Sequence, residues 1–189
     1  EAHHFEEVAT KHLGRSMSYF SFVFTLTRLY RDAKNGLLSN LSQRLEADSN
    51  DQAVDWRNNI QEMIPKLIQV KEEWEQYTDM AYNFLTSEAK FTGGQEAHVY
   101  RFQEERIPAS WAKLVDAEAN IHSLLTDAIK KLEQMLNEMK ESKDELEMQS
   151  MVTDLNGAMK NLLLIRDDLR FFTVRPNQDY VYWLEGNAA

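Results

Sequence analysis

Apolar residues recur every three or four positions along three long stretches of the chain, which are separated by polar breaks. This spacing places the apolar side chains on one face of an α-helix and predicts three long amphipathic helices. The first reaches almost to Ser87, the second ends near Lys140, and the third follows a turn around Glu141 to Asp144. The first stripe comprises Ile60, Met63, Leu67, Val70, Trp74, Tyr77, Met80 or Ala81, and Phe84. The second comprises Trp111, Leu114, Ile121, Leu124, Leu125, Leu132, Met135, Leu136 and Met139. The third comprises Leu146, Met151 or Val152, Leu155, Met159, Leu162 or Leu163, Arg166 and Leu169.

Pro65 falls inside the first long stripe. A proline in a helix interior removes one backbone hydrogen bond and clashes with the preceding turn. We therefore expect either a kink near Glu62 or a break of the helix there.

The chain before residue 50 predicts shorter helices. Ala2 to His12 suits a short helix that stops at Gly14. Ser16 is a candidate N-cap for a second helix, which ends at Asn35 and Gly36 and presents Arg28, Arg31 and Lys34 opposite its apolar face. The expected apolar stripe of this second helix is Met17, Phe20, Val23, Phe24, Thr27 and Tyr30, and a shorter helix follows with Leu37, Leu38, Leu41 and Leu45.

Two runs have the character of β-strands. Residues 97–102 alternate and include Val99 and Tyr100, and residues 180–185 are rich in aromatic and β-branched side chains. They are candidates to pair as a minor two-stranded ribbon. Because three amphipathic rods must cover one another's apolar stripes, the predicted fold class is all-α, an elongated antiparallel bundle of long helices.

Composition and charge narrow the function. The 189 residues contain no cysteine, which excludes disulfides, thiolate metal sites and cysteine nucleophiles and favours a cytoplasmic location. No apolar run approaches the ~20 residues that cross a bilayer. The net charge is −10, so bulk electrostatics oppose binding to phosphate backbones, and any nucleic-acid contact requires a local patch. Arg15, Arg28, Arg31 and Lys34 are the cationic concentration that offers one.

Catalytic motifs are scarce. The sequence has no Gly-Lys-Ser/Thr phosphate loop, no His-Glu-x-x-His zinc motif and no Gly-x-Ser-x-Gly elbow. Glu118 and His122, four apart on one predicted helix, suit either a single divalent ion or, as we favour, a solvated surface pair. Trp74, Tyr77 and Trp111 are expected in the core rather than as base-stacking platforms, and Trp56 is less clearly placed. No metal site is predicted.

The two ends of the chain carry a resemblance to a known family. Glu1, Ala2, His3, His4, Phe5 and Glu6 resemble the tail of a DEAH box in superfamily 2 DNA helicases of the DinG/XPD type, with the aspartate of the box just before Glu1. Tyr180 to Glu185 resembles the strand by which DinG-like chains return to the motor domain. The helical stretch between them is similar to the Arch, a helical insertion that helps to enclose and guide single-stranded DNA.

The resemblance implies three segments and a short set of site residues. Residues 1–15 would be a motor-domain remnant, 16–172 the Arch-like domain and 173–189 the re-entry strand toward the motor domain. Glu1 and His3 would be the glutamate and histidine of the box, catalytic in a parent that uses ATP and Mg²⁺. Without the phosphate loop the chain alone is expected to be inactive and to bind neither cofactor. Its expected partners are single-stranded DNA and the helicase motor domains in cis, and no membrane.

Two interpretations of other classes remain. The alternative to the helicase interpretation is a freestanding acidic helical adaptor that binds a protein partner, in which case the initial Glu-Ala-His is a coincidence. A metal-dependent bundle enzyme is the third, and it lacks the paired Glu-x-x-His motifs of a two-metal site. An aspartate immediately upstream of Glu1 would favour the helicase interpretation.

Overall fold

The computed structural model describes residues 4–10, 15–88, 98–102, 107–141, 146–175 and 181–187. Within these ranges the chain forms five α-helices, one 3-10 turn and four strands. The helices are α1 (Tyr19–Leu29), α2 (Leu37–Leu45), α3 (Asp51–Glu88), α4 (Ala112–Glu141) and α5 (Leu146–Val174); the strands are β1 (His4–Thr10), β2 (Arg15–Ser18), β3 (His98–Arg101) and β4 (Val181–Asn187), and the 3-10 turn is Ala109–Trp111.

The chain divides into two compact units. One unit comprises Glu1–Phe22, Glu72–His122 and Ile165–Ala189, and the other comprises Val23–Lys71 and Ser123–Leu164. The first unit holds the four described strands together with helical segments, whereas the second holds helical segments and the turns between them. The predicted predominantly helical fold with a small antiparallel sheet is confirmed.

The four strands of the first unit form one antiparallel sheet in the order β2-β1-β4-β3. The predicted pairing of the two strand-like runs is confirmed, because β3 pairs with β4 from His98↔Gly186 to Arg101↔Trp183. The sheet is larger than the predicted ribbon, since β1 pairs along its whole length with β4, from His4↔Asn187 to Thr10↔Val181. The first and last described segments of the chain are therefore neighbours.

The expectation of a short helix at Ala2 to His12 is wrong, because His4–Thr10 is the strand β1. Residues such as Glu6 and Ala9 tolerate a helix, but β1 lies between β2 and β4 and gains backbone partners on both sides. Ser16 likewise lies in β2 rather than capping a helix. The cap of α1 is Ser18, whose Oγ accepts from Ser21 N at 3.2 Å while Ser21 Oγ accepts from Ser18 N at 3.1 Å.

An aromatic cluster fills the core of the first unit. The Trp74 ring stacks on Phe22 and Tyr77, with ring centroids 4.0 and 5.4 Å away. The Tyr77 hydroxyl lies 2.6 Å from Thr173 Oγ1, and Trp111 Nε1 donates to the Thr173 carbonyl at 2.8 Å. One buried threonine of α5 thus satisfies polar atoms of two large rings, which lets both rings be buried without the cost of an unpaired donor. The predicted core positions of Trp74, Tyr77 and Trp111 are confirmed.

Antiparallel packing of α3 against α4 defines the second unit. Along α3, Trp56 Nε1 donates to Glu138 of α4 at 3.0 Å, Glu62 pairs with Lys131, and Lys66 Nζ lies 3.2 Å from Asp127. The partner numbers on α4 fall as those on α3 rise, so the two helices run in opposite directions. Trp56, the tryptophan that the sequence left unexplained, is therefore a core residue with a bonded indole.

The helix α3 continues through Pro65, so the alternative of a broken helix is wrong. Pro65 has no N–H for the carbonyl of Gln61, and Gln61 is exposed, so water can replace the missing donor. Buried Met63 and Leu67 on either side hold the helix against its neighbours and offset the lost bond.

We expect Gly36→Ala and Gly157→Ala to change stability in opposite directions. Gly36 has φ +116°, and a Cβ there would lie 2.8 Å from Leu29 O and from Tyr30 Cα, so alanine should lower the free energy of unfolding by about 2–3 kcal/mol. Gly157 lies within α5 with open space around an added Cβ, so alanine should raise it by about 0.5–1 kcal/mol. Urea unfolding of the two variants beside the unaltered chain measures both. Equal losses from the two substitutions would contradict the assignment.

Candidate functional site

The predicted cationic residues Arg28, Arg31 and Lys34 lie at the end of α1 and in the loop that follows it. The helix ends at Leu29, so the expected continuation of this helix to Asn35 is wrong, and only Arg28 lies on it. Arg31 and Lys34 belong to the turn that leads to α2. All three side chains are exposed, and none forms an ion pair with any residue in the described ranges.

Asp32 holds the loop in one shape. Its Oδ1 accepts from the backbone N–H groups of Lys34 and Asn35 at 2.8 and 2.9 Å, and the Asn35 side-chain amide donates to both carboxylate oxygens at 2.9 Å. The Ser39 hydroxyl of α2 donates to the Asp32 carbonyl at 2.7 Å. Local carboxylate-to-backbone bonds of this kind are typical of Asx turns.

The same bonds change the acidity of Asp32. The hydrogen bond from Asn35, then the backbone bond from Lys34, lower the pKa of the Asp32 carboxyl, and the charge of Arg31 acts in the same direction. The carboxylate therefore stays ionised and directed at its own loop. Lys34 follows Asp32 by two residues, so its backbone is fixed by the turn that fixes the aspartate.

Gly36 closes the loop against the end of α1. Its φ of +116° is in the region that glycine alone adopts without strain, and a Cβ at this position would lie only 2.8 Å from the Leu29 carbonyl oxygen. Both ends of the loop are thus held in place. Leu29 before the loop and Leu38 after it are buried, and Gly36 sets the backbone conformation where the loop joins α2. Chemically, it presents two cationic side chains from a fixed backbone, beside a third on the helix, which is an arrangement that suits phosphate groups.

Arg15, the fourth predicted cation, is engaged within the first unit. Its Nε donates to Asp168 Oδ1 of α5 at 2.7 Å, a second guanidinium nitrogen bonds the same oxygen, and the guanidinium carbon lies 4.1 Å from the centroid of the Phe171 ring. Arg15 therefore connects β2 to α5 by an ion pair and a cation–π contact. Arg15 lies in β2, whereas Arg28 lies on α1 and Arg31 and Lys34 lie in the loop that follows it.

Glu1 and His3, the predicted catalytic residues, lie outside the described residues. The strand β1 begins directly after them, at His4, and pairs on one edge with β2 and on the other with β4. The role assigned to Glu1 and His3 stays a prediction.

Glu118 and His122 differ from both interpretations made from the sequence. Glu118 is only 1% exposed and accepts from Arg170 Nε at 3.2 Å, so it is not a solvated surface residue. Burial raises the pKa of Glu118, and the charge of Arg170 opposes that rise. Burial, then the charges of Arg170 and Arg166, lower the pKa of His122. Two arginines beside the pair make an environment that does not favour a divalent cation.

Phe24 is the residue that sequence reasoning misplaced most clearly. It was assigned to the buried stripe of α1, yet its side chain is 67% exposed, and Phe20 one turn earlier is 52% exposed. The buried face of α1 instead carries Phe22, Leu26 and Leu29, with Thr25 beside them. The sequence does contain a sign of this ambiguity, because apolar residues lie on more than one side of α1. Two faces of the helix could therefore be the buried one, and apolar periodicity alone does not distinguish them.

Within the described residues no group of three or more His, Asp and Glu side chains is placed to hold a metal ion. A search of the same residues for a helix long and apolar enough to span a bilayer found none.

The chain is therefore a predominantly helical protein with a small antiparallel sheet and an exposed cationic loop. It is similar to the protein named 3'-5' exonuclease DinG from Bacillus subtilis (strain 168), with 24% identity over 200 aligned positions that cover 100% of this chain. The chain spans 20% of the length of that relative. No family model matches the chain. No solved structure matches it either.

Two glutamates should give opposite dependences of stability on pH. The folded-state pKa of Glu118 is raised, so the folded chain binds its proton more tightly than the unfolded chain does, and the stability from this group is lost as pH rises. The folded-state pKa of Glu62 is lowered by Lys131, so the stability it contributes is lost as pH falls. Relative to the unaltered chain, we expect Glu118→Gln to gain stability as the pH rises above 4.5, the ordinary pKa of the carboxyl. We expect the stability deficit of Glu62→Gln to be present above that pH and to shrink as the pH falls below it.

Chemical denaturation of both variants at a series of pH values measures this difference. Slopes of the same sign for Glu118→Gln and Glu62→Gln would contradict the assignment of the buried carboxyl.

Proposed function

We propose that this chain is the helical arm of a DinG-related DNA helicase and that it guides single-stranded DNA through its cationic loop. The observation that carries the proposal is the similarity to DinG along the entire chain, which occupies only a fifth of the relative's length. A segment of that kind is a part of a larger machine, and its contribution is to position the nucleic acid on which the machine acts.

The pairing of β1 with β4 supports the role of an insertion. A polypeptide inserted into a motor domain must leave that domain and return to it at nearby points. β1 and β4 lie side by side in one sheet, and more than 160 residues of mostly helical chain connect them. We assign residues 1–15 to the motor domain, 16–172 to the Arch-like arm and 173–189 to the strand that returns.

Nucleotide chemistry belongs, in this proposal, to the parent protein. Glu1 and His3 would be the acid and the histidine of its DEAH box, with ATP and Mg²⁺ held largely by residues that this chain lacks. The 189 residues contain no Gly-Lys-Ser/Thr loop to hold the phosphates. We therefore assign no step of ATP hydrolysis to the chain alone, and its own contribution is contact with DNA.

The cationic loop supports that contact. Arg28, Arg31 and Lys34 are exposed and without ion-pair partners in the described ranges, and the Asp32 turn fixes the backbone that carries two of them. A surface cation without an internal partner loses no ion pair when it binds a phosphate, so its net contribution to binding is larger than that of a paired one such as Arg15.

We expect the chain to bind single-stranded oligonucleotides weakly and in a salt-dependent manner, and Arg28→Glu with Arg31→Glu to reduce that binding. Two lost phosphate contacts should lower the affinity by roughly tenfold or more and reduce the slope of log K against log salt by about 1.4. Fluorescence anisotropy of a labelled oligothymidine, titrated with the chain at several salt concentrations, measures both quantities.

The matched control is Lys130→Glu with Lys160→Glu. These exposed lysines lie on α4 and α5 of the same unit, and reversing them changes the net charge by the same amount. Equal losses of affinity in the two double variants would show that overall charge, rather than the loop, determines binding, and would contradict the assignment of the loop.

In the full-length protein, the same double reversal at Arg28 and Arg31 should lower the stimulation of ATPase activity by single-stranded DNA. The reason is that the arm then holds the strand less well, while the Lys130 and Lys160 reversal should leave stimulation as it is. Steady-state ATP hydrolysis with increasing oligothymidine measures this. Undiminished stimulation in the Arg28 and Arg31 variant would remove the loop from the mechanism. A sequenced upstream region without an aspartate before Glu1 would remove the helicase assignment itself.

A further inference from the structure

Phe24 is exposed beyond what packing of α1 explains. Its side chain is 67% accessible, the largest value among the exposed large hydrophobic residues in the described part of the chain. The buried side of the same helix is complete without it, because Leu26 and Leu29 fill the core there and Leu38 and Leu41 of α2 are fully buried. An aromatic ring left in water gives up the roughly 1.5–3 kcal/mol that its burial would contribute, and its face stays available to a ligand.

Along α1, Phe24 has the half-exposed Phe20 four residues before it and cationic and polar residues after it. Arg28 follows by four residues, so the two Cβ atoms are about 5–6 Å apart on one face. Thr27, also near this face, directs its hydroxyl to the carbonyls of Val23 and Phe24 at 3.0 and 3.2 Å. The hydroxyl is thereby used within the helix, and the chemistry this face offers is a flat ring and a guanidinium.

The loop that follows the helix adds two further cations. Arg31 and Lys34 are exposed, and the only acid between Val23 and Gly36 is Asp32. Asp32 Oδ1 accepts hydrogen bonds from the backbone N–H groups of Lys34 and Asn35, and the Asn35 side-chain amide donates to both Oδ1 and Oδ2. The acid therefore maintains the loop, and within the described residues it forms no ion pair with Arg28.

A ring followed by cations at this spacing matches the chemistry of an unpaired nucleotide. The face of an unstacked base packs on an aromatic ring whatever the base is, and its phosphate pairs with a cation nearby. In a duplex the base faces are already covered by their neighbours, so the ring selects single strands. The positive charge of this surface within a chain of net charge −10 distinguishes it from a general apolar contact.

We propose that Phe24 is a base-stacking platform for single-stranded DNA, with Arg28 and the loop cations Arg31 and Lys34 holding the adjacent phosphates. This inference rests on the proposed function and adds Phe24 to it, as the residue whose ring contacts a base rather than the backbone of the strand. It also assigns the ring to the nucleic acid and not to a protein partner or a second copy of the chain.

The test compares two ligands of equal charge, an oligothymidine and an oligomer of abasic sites with the same backbone length. Phe24→Ala should weaken binding of oligothymidine by about tenfold, within the range expected for loss of one base stack, and should leave binding of the abasic oligomer unchanged. Arg28→Glu with Arg31→Glu should weaken both. Phe24→Trp should bind oligothymidine as tightly as the unaltered chain does, or more tightly, because indole offers a larger stacking face.

Leu164→Ala is the control for removing an exposed apolar side chain. Leu164 is 60% exposed on α5 of the same unit, and its removal should affect neither ligand. Circular dichroism and thermal unfolding should be the same for Phe24→Ala and the unaltered chain, since Phe24 contributes little to the core.

Distinct results separate the failure of this inference from the failure of the proposed function. If Phe24→Ala binds both ligands as the unaltered chain does while the arginine reversal weakens both, the stacking inference is wrong and the cationic loop stands. Equal weakening of both ligands by Phe24→Ala would assign Phe24 a structural role and overturn the inference. If the unaltered chain binds neither ligand, both ideas fail. Loss of a dimer in sedimentation equilibrium on changing Phe24 to alanine would assign the ring to a second copy instead.

Discussion

The antiparallel pairing of β1 with β4 is the constraint from which the rest of the first unit follows. β1 lies at the centre of the sheet, between β2 and β4, so its backbone groups are bonded on both sides and the chain between residues 10 and 181 must start and finish at one place. Within the second unit, α3 and α4 run in opposite directions, as the pairs Trp56–Glu138 and Lys66–Asp127 show.

Thr173 shows how the end of α5 is held in the first unit. Its hydroxyl meets Tyr77 and its carbonyl meets Trp111, so one residue satisfies polar atoms from α3 and from the turn before α4. Two residues later, Arg175 adopts a φ of +54°, and its guanidinium carbon lies 4.1 Å from the Phe102 ring centroid. A left-handed backbone conformation at a residue other than glycine costs of order 1 kcal/mol, and the cation–π contact of Arg175 next to β3 offsets part of that cost. The chain is thereby turned out of α5 before it reaches β4.

The long helices and the two later strands could be predicted from the sequence because each depends on a sustained pattern. Twenty or more residues of regular apolar spacing leave little ambiguity, and the strands at 98–101 and 181–187 are rich in residues that favour a pleated surface. β1 could not be predicted, because its character depends on partners that are remote in sequence. Glu6 and Glu7 favour a helix locally, and hydrogen bonds to β2 and β4 override that preference.

The sequence identified the cationic residues of the candidate site, but the positions that it predicted for them in the fold were partly wrong. The cluster Arg28, Arg31 and Lys34 stands out in any count of charge, but the sequence does not show that α1 ends at Leu29 and that a turn carries the last two. Arg15 belongs to the same cluster by sequence and to an ion pair with Asp168 by structure, a contact across 153 positions that no local pattern reveals. The acidic character of its helix predicts a solvated Glu118, whereas the side chain is buried and accepts a hydrogen bond from Arg170.

The net charge of −10 and a nucleic-acid role are compatible once the range of electrostatic forces is considered. At physiological salt, charges farther apart than about 8 Å are largely screened from one another when both are exposed. The electrostatic potential that acts on a phosphate at the end of α1 is therefore set by the charges in its immediate neighbourhood. Between Val23 and Gly36 three cations and one acid leave a local charge of +2, and the acid, Asp32, is directed into hydrogen bonds with its own turn. The many carboxylates of α3, α4 and α5 repel phosphate groups, which in the proposed function favours binding of a strand at the loop that carries Arg31 and Lys34.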